Sequence, residues 1–395
     1  MRQVVILSAV RTPVGAIGGA LASLRARDLA IIAIRRAIEA AGITPDQVQY
    51  TCLGWVMQDP TATNIAKIAA EKAGVPSTSP GTTFHENCAS GAAAIHDLAR
   101  RIILGEVEVG VAGGVESMSN VPRYLFSGRI KGQLYGDMVL VDGLMGALTD
   151  IDVGEKGELM GLLTERLVAK YGVTREEMDQ IAFLSHKNAL AAWEGGYFDG
   201  YVVPVEVPQR KGPPTIVSKD EGPRPVTIEE LGKQRPYFKP DGGTITAGNS
   251  STLNDGAAAV VLASEEFAKR YTPIARLVAW HNVGVQRELM GEGAFKVVLP
   301  LLAKAGLKLS DIDYFEINEA FAAVLAAAFH DIPDLRADRV NQWGSGISLG
   351  HPVGCTGARQ VVDMVHQLRR RGGRRGLTSR CVGGGIGSGE VVEAI

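Results

Sequence analysis

The 395-residue sequence has no long hydrophobic run and no strong excess of charge of either sign. No segment approaches the ~18 consecutive apolar residues that a membrane span requires, so we expect no transmembrane helix. The 41 Lys and Arg residues nearly balance the 43 Asp and Glu residues. Such a balance disfavours the basic surface that nucleic acids and acidic membranes select. We therefore predict neither a nucleic-acid nor a membrane partner.

Cysteine is scarce, and its spacing fits neither a disulfide scaffold nor a zinc site. The four cysteines stand far apart, without a Cys-x-x-Cys pair. We predict free thiols, no metal and a reducing, cytoplasmic compartment. The first apolar run, residues 4–7, ends at Arg11-Thr12-Pro13 without a small-residue cleavage site. It is typical of a first β-strand, and we expect no signal peptide.

What the chain does have is apolar material and glycine. Hydrophobic residues make up 46% of the sequence, which is ample for a core and excludes disorder, and 48 residues are glycine. Strand-like and helix-like runs alternate, which indicates an α/β fold. The helical stretch 92–103 carries few charges. A helix that is apolar on most sides is buried, so a layered sandwich with internal helices is expected.

Three pairs of segments recur in the same order and predict an ancestral duplication. Residues 41–50 resemble residues 305–314, since both combine Ala-Gly with a later Tyr. Residues 88–92 resemble residues 354–358, and both open a helix-like segment. In each copy an apolar run that ends in glycines follows, at residues 109–114 and 379–384. We therefore expect two related halves.

The middle of the chain, residues 120–250, has a different composition and indicates an insertion. It is richer in charge, Pro and Gly. One helix is predicted inside it, at residues 175–193, with Thr174 as N-cap and Glu177 completing a capping box. Loops that cross a rigid scaffold commonly bind the ligand. A buried strand is expected to resume at residues 254–261.

Cys88 and His351 are the first two candidates for chemistry. Cys88 precedes a small-residue helix, and the donors and dipole of a helix N-terminus favour a thiolate. A buried structural cysteine is the alternative. His351 lies between Gly350 and Pro352 on a rigid turn. Its alternative is a capping or core histidine. His85, close to Cys88, keeps a minor claim to a site role.

Cys381 and Asn318 complete the candidate set. Cys381 precedes a glycine run, but only six residues follow Gly389, too few for the helix of a nucleotide-binding loop. The run is better suited to presenting backbone N–H groups. Asn318 follows a predicted strand, where α/β proteins place their sites, although a helix cap is an alternative. Two cysteines, a histidine and an asparagine suggest acyl transfer through a thiolate.

The chain resembles the thiolase family over nearly its whole length. Several distinctive stretches carry the resemblance in one shared order: residues 9–15, 88–91, 113–119, 208–212, 246–251, 254–258, 318–322, 350–354 and 381–385. The resemblance implies two α/β halves in five α-β-α-β-α layers with an inserted loop domain. It places the first half at residues 1–119 plus 251–270, the loop domain at 120–250 and the second half at 271–395.

The resemblance also implies the reaction and its residues. A thiolase transfers an acyl group between coenzyme A (CoA) thioesters, by cleavage of 3-ketoacyl-CoA or the reverse condensation. Cys88 would carry the acyl group, His351 would take its proton, and Cys381 would move the proton at the α-carbon. The backbone N–H groups of Cys88 and Gly383 would form one oxyanion hole. His351 and a water held by Asn318 would form the other.

Substrate contacts and assembly follow from the same resemblance. Ser251 and Ala247 would lie along the pantetheine arm, Met160 near the acyl group, and Arg224 near the CoA nucleotide. CoA and acyl-CoA are the expected partners, as substrates or products, and no tightly bound cofactor is expected. The resemblance implies a homodimer or a homotetramer.

Some positions depart from the family pattern. His85 stands where many members have Asn, three residues before the nucleophile, and Asn87 directly precedes Cys88. Leu159 stands where short-chain biosynthetic members have His, which leaves room for a larger or more apolar acyl group. Trp343-Gly344-Ser345-Gly346 replaces a Gly-Gly-Ala-like stretch. Cys355 replaces a small residue, as a bystander or as a redox-sensitive thiol, and Cys52 is expected in the core.

Two other functions remain open at this point. A β-ketoacyl synthase shares the fold but lacks the second catalytic cysteine and often has His where this chain has Asn318. A catalytically idle scaffold that passes intermediates between enzymes is the other alternative, and its only support is the unusual His85-Glu86-Asn87 segment. The presence of Cys381 favours the thiolase.

Overall fold

Long strands and helices alternate along the chain, as the hydrophobic pattern predicts. The computed structural model describes residues 2–126 and 137–395. Within these residues the strands are β1 Val4–Arg11, β2 Gly15–Ala16, β3 Thr51–Gly54, β4 Gly81–Phe84, β5 Val109–Ser117, β6 Arg123–Tyr124, β7 Val141–Asp142, β8 Thr149–Asp150, β9 Glu158–Leu159, β10 Val205–Val207, β11 Thr215–Val217, β12 Asn254–Ser264, β13 Ala275–Gly284, β14 Tyr314–Ile317, β15 Arg375–Val382 and β16 Ile386–Ala394.

The helices of the same residues connect these strands or cover them. They are α1 Ala26–Ala41, α2 Ile65–Lys72, α3 Ser90–Leu104, α4 Gly143–Ala147, α5 Met160–Tyr171, α6 Arg175–Glu194, α7 Ile228–Gly232, α8 Glu265–Ala268, α9 Gly293–Lys296, α10 Val298–Ala305, α11 Ala322–Asp331 and α12 Val353–Arg371. Within the described ranges, no helix combines the length and apolar character that crossing a bilayer needs.

The duplication is visible in the strand order. The first half has the order β1-β12-β5-β3-β4, and the second half has the order β13-β16-β15-β14. In both halves the first two pairings are antiparallel and the third is parallel. The opening strand of each half carries an irregularity of register at the same place, between Ile6 and Ser8 and between Leu277 and Ala279. The three sequence repeats fall on equivalent elements, which confirms the predicted duplication.

The two halves pack around a central pair of helices. A short antiparallel pairing of Val5–Ile6 with Ala275–Arg276 joins their strands. Helices α3 and α12 pack against each other between the two sets of strands, α1 and α2 cover the first half, and α9 to α11 cover the second. Five layers result, as expected. The central helices touch closely, because a Cβ on Gly91 would lie 2.8 Å from the amide N of Ala358.

The segment between β5 and β12 leaves the main sheet. Its longest helix, α6, begins after Thr174, whose side chain forms the predicted capping box with Glu177. Helices α5 and α6 pack on α11 of the second half. Residues 127–136 of the predicted loop domain lie outside the described residues. The boundaries at residues 119/120 and 250/251 stay a prediction.

A buried arginine ties this segment to the core. The Arg11 side chain is 1% exposed, donates two hydrogen bonds to Asp220, at 2.7 and 2.9 Å, and one to Asp363 at 2.8 Å. Asp220 also accepts the Val14 N–H at 2.8 Å. A buried cation that loses its partner still carries the cost of its own desolvation. Breaking this pair should therefore lower the stability of the fold more than breaking a surface ion pair would.

We expect Asp220→Ala to lower the free energy of unfolding by about 3–5 kcal/mol, because it leaves the Arg11 guanidinium buried and half-paired. Urea unfolding measures the loss. The control is Glu39→Ala, which breaks the exposed Arg36–Glu39 pair and should cause no comparable change. Equal unfolding midpoints for the two variants would contradict the tethering role of Arg11.

Candidate active site

The two halves and the inserted segment meet at a small cavity of about 70 Å³. The ends of β14 and β15 and the turns that precede α3 and α12 surround this cavity. Its lining residues are Asn87, Cys88, Ala147, Leu148, Met160, Ser251, Met290, Ala320, Phe321, His351, Val353, Cys381 and Gly383. The cavity therefore brings together the two cysteines, the histidine and the glycine that the sequence singled out.

Cys88 lies on a strained turn that aims its sulfur into the cavity. Asn87 has a φ of 42°, a left-handed conformation that is uncommon outside glycine. The Asn87 side chain donates a hydrogen bond of 2.8 Å to the carbonyl oxygen of Gly383, which ties the turn to the opposite half. Strain of this kind is held at functional sites by surrounding structure. Asn87, which directly precedes Cys88, thus has a local structural role, because its side chain fixes the turn that carries Cys88.

Two backbone N–H groups face the Cys88 sulfur. Hydrogen bonds from the N–H groups of Gly383 and of Cys88 itself lower the pKa of the thiol. Two donors that converge on one point are the arrangement that can stabilise a developing negative charge. Gly383 begins the turn between β15 and β16, in which Gly384 and Gly385 have φ values of 93° and 86°. The glycine run presents backbone donors, as the sequence predicts.

The expectation that the helix N-terminus favours a thiolate is wrong for the resting protein. Burial raises the pKa of Cys88 to about 11, and this outweighs the two N–H donors. Cys88 also precedes the first residue of α3, Ser90, by two positions. The resting sulfur is therefore a thiol, and it needs a base to become a nucleophile.

His351 is the imidazole that lies within reach of this thiol. Its Nε2 lies 3.3 Å from the Cys88 Sγ, and its Nδ1 lies 2.6 Å from the Thr356 Oγ1. The Thr356 hydroxyl donates its hydrogen to the Pro352 carbonyl at 3.0 Å, so it must accept a hydrogen from Nδ1. This fixes the proton on Nδ1 and leaves Nε2 free to accept one from Cys88. Burial and the Arg359 charge lower the His351 pKa to about 3, so the imidazole stays neutral.

We expect Thr356→Val to slow alkylation of Cys88 by iodoacetamide by about 5- to 150-fold, because the Nδ1–H would lose its buried partner at a cost of about 1–3 kcal/mol. Peptide-mapped mass spectrometry follows alkylation of Cys88 alone. Thr356→Ser keeps the hydroxyl and should react at close to the wild-type rate. A Val variant as fast as wild type would show that Thr356 does not orient the ring.

Cys381 faces the cavity from the end of β15. Its side chain is 1% exposed, and burial together with the nearby Cys88 raises the pKa of the Cys381 thiol. Its place on a strand holds the sulfur rigidly across the cavity from Cys88. Of the two thiols in this cavity, Cys88 is the one hydrogen-bonded to the imidazole, so the two are chemically different and can take different roles.

Asn318 lies directly after β14, at the strand end where the sequence predicts it. Its side chain is fully buried, and neither amide atom has a hydrogen-bond partner within the described part of the chain. Such orphaned groups are rare, and one next to a cavity commonly binds water or a ligand. Ala320 and Phe321, just beyond Asn318, line the cavity. Asn318 itself does not line it.

A larger apolar cleft of about 450 Å³ continues from the cavity. Leu148, Met160, Ser251 and Phe321 line both spaces. The cleft contains three of the predicted substrate contacts, Ser251, Ala247 and Met160, together with Leu159. Arg224 is exposed and lies near His186, whose pKa it lowers, but it lines neither the cavity nor this cleft.

A second cleft, of about 520 Å³, leaves the cavity in another direction. Asn87, Ala147, Met160 and Gly383 line both spaces. Apolar side chains such as Val56, Met57 and Ile151 share its wall with His85 and Arg287. His85 therefore lies at the site without contacting the sulfur.

The remaining cysteines lie outside the cavity. Cys355 is 1% exposed in the first turn of α12, and burial raises its pKa to about 12. Cys52 is fully buried in β3, as expected of a core residue. Among the described residues, no three His, Cys, Asp or Glu side chains cluster where they could hold a metal ion.

Three residues of the site escaped sequence reasoning. Thr356 orients His351, Asn254 accepts the His351 N–H at 2.9 Å, and Glu116 accepts the Gly354 N–H at 2.9 Å. All three belong to stretches that resemble thiolases or adjoin them, but no pattern within the sequence reveals their partners. The spacing of Thr356, five residues after His351 at a helix start, is the one local signal that was present.

Comparison with known proteins agrees with this geometry. The family model for the thiolase N-terminal domain matches residues 4–266. The family model for the thiolase C-terminal domain matches residues 271–394. A probable acetyl-CoA acyltransferase of Staphylococcus epidermidis is 40% identical over 400 residues, which covers 100% of this chain and 99% of the relative. One from Staphylococcus aureus is 41% identical over 397 residues, with the same shares covered.

Solved structures match along the whole chain. The acetyl-CoA acetyltransferase of Bacillus anthracis superposes with a TM-score of 0.96 at 43% identity, covering 100% of this chain and 99% of its own. Human mitochondrial 3-ketoacyl-CoA thiolase in complex with CoA gives 0.94 at 37% identity, covering 100% and 98%. Two family models together span nearly the entire sequence, and the solved structures match the fold over the full chain. The chain therefore belongs to the thiolase family.

Proposed function

We propose that this thiolase transfers acyl groups between CoA thioesters through an acyl intermediate on Cys88. The observation that carries the proposal is the 3.3 Å approach of the His351 Nε2 to the Cys88 Sγ, in a cavity that Cys381 also lines. A thioester is already activated. The enzyme must add a nucleophile with its base, a second base for carbon, and donors for two oxyanions.

In the first half-reaction the Cys88 sulfur attacks the carbonyl carbon of an acyl-CoA or a 3-ketoacyl-CoA. The Cys88 proton moves to the His351 Nε2, and the carbonyl oxygen becomes an oxyanion that the N–H groups of Cys88 and Gly383 stabilise. The tetrahedral intermediate then collapses to the Cys88 thioester. With acyl-CoA the leaving CoA thiolate takes the proton from His351. With 3-ketoacyl-CoA the leaving enolate of acetyl-CoA takes a proton from Cys381.

The second half-reaction depends on direction. In condensation, Cys381 gives its proton to His351 and, as a thiolate, removes a proton from the methyl carbon of acetyl-CoA. The new carbanion attacks the acyl carbon on Cys88, and the Cys88 thiolate leaves and takes the proton from His351. A thiol whose pKa burial raises gives a strong base once it is ionised. The enolate oxygen would bind His351 and a water held by Asn318, whose amide is buried without a partner. In cleavage, the thiol of free CoA instead gives its proton to the Cys381 thiolate and attacks the acyl carbon on Cys88. The Cys88 thiolate then leaves and takes the proton from His351.

CoA would enter along the 450 Å³ cleft, with its pantetheine arm beside Ser251 and Ala247 and its acyl carbon near Met160. Arg224, exposed on the inserted segment, would meet the phosphates of the nucleotide, since guanidinium groups bind phosphate well. CoA acts as substrate and product, and no tightly bound cofactor is needed. These contacts define a site for a diffusible thioester.

The 520 Å³ cleft would hold the acyl chain, because it leaves the cavity away from the pantetheine side. Val56, Met57 and Ile151 in its wall suit methylene groups, while Asp150, Asp152 and Arg287 line another part of it. The room in this cleft supports a substrate longer than acetoacetyl-CoA, and Leu159 does not contribute to it, because it lines the 450 Å³ cleft. We expect kcat/KM for cleavage of 3-ketohexanoyl-CoA to equal or exceed that for acetoacetyl-CoA. A value ten times lower would contradict the assignment of this cleft.

Two-substrate kinetics test the proposed function as a whole. When CoA and 3-ketoacyl-CoA are varied together, double-reciprocal plots should give parallel lines, because acetyl-CoA leaves before CoA binds. Intersecting lines would indicate direct transfer without an acyl-enzyme. No turnover with any chain length, from folded protein with free thiols, would favour the idle scaffold.

We also propose a cytoplasmic homodimer or homotetramer. Strand β4 ends the sheet within the described residues, and Phe126, Met138 and Val139 are each more than 70% exposed on the inserted segment. Exposed apolar groups and free strand edges are common at subunit contacts. A synthase-like activity is less well supported, since Cys381 and Asn318 both have places in the thiolase reaction.

A further inference from the structure

Glu116 is a fully buried carboxylate directly beneath the candidate active site. It lies near the end of β5, in a stretch that resembles thiolases but has no role in the reaction above. Its Oε2 accepts the N–H of Gly354 at 2.9 Å and that of Val56 at 3.3 Å, and its Oε1 accepts the N–H of Met57 at 3.1 Å. No ion pair joins it to a cation within residues 2–126 and 137–395.

The three amides belong to two segments that shape the cavity. Gly354 is in the first turn of α12, three residues after His351. Val56 and Met57 follow β3, and together with Val353 they form an apolar cluster against which Cys88 packs. The carboxylate therefore connects the His351 turn of one half to the floor under Cys88 in the other half.

The contact leaves no room for a side chain at position 354. A Cβ at this position would lie 2.9 Å from the Glu116 Oε2 and 2.7 Å from the Val115 carbonyl oxygen. A buried carboxylate without a cation is costly, but an apolar side chain here would leave three buried N–H groups without an acceptor. The carboxylate satisfies the N–H groups of Val56, Met57 and Gly354 at once, and so fixes the two segments relative to each other.

We propose that Glu116 is a positioning residue, which holds the His351 turn at the distance from Cys88 that proton transfer requires. The inference rests on the proposed function, because it gives the Cys88–His351 pair its catalytic meaning. Glu116 touches neither sulfur nor imidazole by hydrogen bond. It acts through Gly354 and through the residues that pack against Cys88. The titratable groups whose charges interact with it are Asp255, Cys88 and Cys355.

The pH profile of Cys88 alkylation separates positioning from stability. In wild type, His351 removes the thiol proton, and burial raises the pKa of Glu116 to about 7. The rate should therefore change little between pH 8 and 9.5, where Glu116 is ionised, and should fall below pH 7 as Glu116 gains a proton. Glu116→Gln places an NH₂ group against a backbone donor and should move the turn. Alkylation at pH 7 should then fall at least tenfold and rise about tenfold per pH unit, since only the free thiolate reacts. The kcat for thiolysis should fall similarly, with KM within twofold.

Two further variants keep the test decisive. Glu116→Asp keeps the charge on a shorter side chain and should give the same steep pH profile with a smaller loss of alkylation rate. It replaces Glu116→Gln as the test variant if Glu116→Gln does not fold. Asp179→Asn removes another buried carboxylate, which pairs with Arg175 and does not line the cavity, and should lower thermal stability while the profile keeps its wild-type shape. A flat profile between pH 8 and 9.5 in a folded Glu116 variant would overturn the proposal. A steep profile in wild type over the same range, with no acyl adduct, would instead overturn the proposed function.

Discussion

Replacement of Cys88 by Ala is expected to abolish acyl transfer, with a fall in kcat of about 10⁴-fold or more. In the proposed reaction this sulfur forms the covalent intermediate. Among the residues that line the cavity, only Cys88 has both an imidazole nitrogen at 3.3 Å and two backbone donors. An alanine leaves the oxyanion donors in place but gives the acyl group nothing to bond. Steady-state thiolysis of 3-ketoacyl-CoA measures the loss.

The matched control for this variant is Cys355→Ala. Cys355 is another buried thiol, within α12, and it does not line the cavity. Its removal should leave kcat within a few-fold of wild type, which also tests the view that it is a bystander. Turnover retained by Cys88→Ala would end the assignment of the nucleophile. A large loss of kcat in Cys355→Ala alone would instead indicate that the start of α12 takes part in the reaction.

Replacement of Cys381 by Ala should separate the two half-reactions. In the proposed reaction Cys381 acts on the proton at carbon, so its loss should lower the rates of thiolysis and of condensation by about 10²–10⁴-fold, the usual contribution of a general acid or base. The first half-reaction with acetyl-CoA needs only Cys88 and His351. Exchange of labelled CoA into acetyl-CoA should therefore persist within about tenfold of wild type.

The exchange assay decides between a chemical and a packing role for Cys381. The side chain is 1% exposed, so a cavity left by alanine could disturb the neighbouring Cys88. Cys381→Ser, which refills most of that volume with a much weaker acid, controls for this effect. If exchange and thiolysis fall by the same factor in both variants, Cys381 does not act selectively at carbon.

The architecture was predictable because the chain repeats itself. Gly42 and Gly306, in the paired segments 41–50 and 305–314, both end their helices in the left-handed conformation, with φ values of 68°. Each is followed by a short turn and a parallel strand of its own half. Small residues at the start of α3 and α12 likewise predicted close packing at the centre. Patterns of this kind are local, and local patterns can be read from a sequence.

The protonation state of the nucleophile was not predictable, and the sequence indicated the opposite. The pKa of Cys88 depends on how much water the inserted segment and the second half exclude, and those residues are distant in the chain. Burial raises this pKa to about 11 although backbone donors face the sulfur. The same holds for Thr356 and Glu116, whose roles come from partners that only the fold brings near. The direction of the second cleft is equally a property of the assembled chain.

The most direct test of the account is to search for the acyl-enzyme itself. The protein is incubated with acetyl-CoA, and separately with longer acyl-CoAs, without free CoA, and is then mapped by peptide mass spectrometry. The account predicts an acyl adduct on the peptide that contains Cys88, at highest yield with acyl chains that fill the second cleft, and none on Cys381. An unmodified Cys88 with every acyl-CoA, on folded protein whose Cys88 reacts with iodoacetamide, would contradict it.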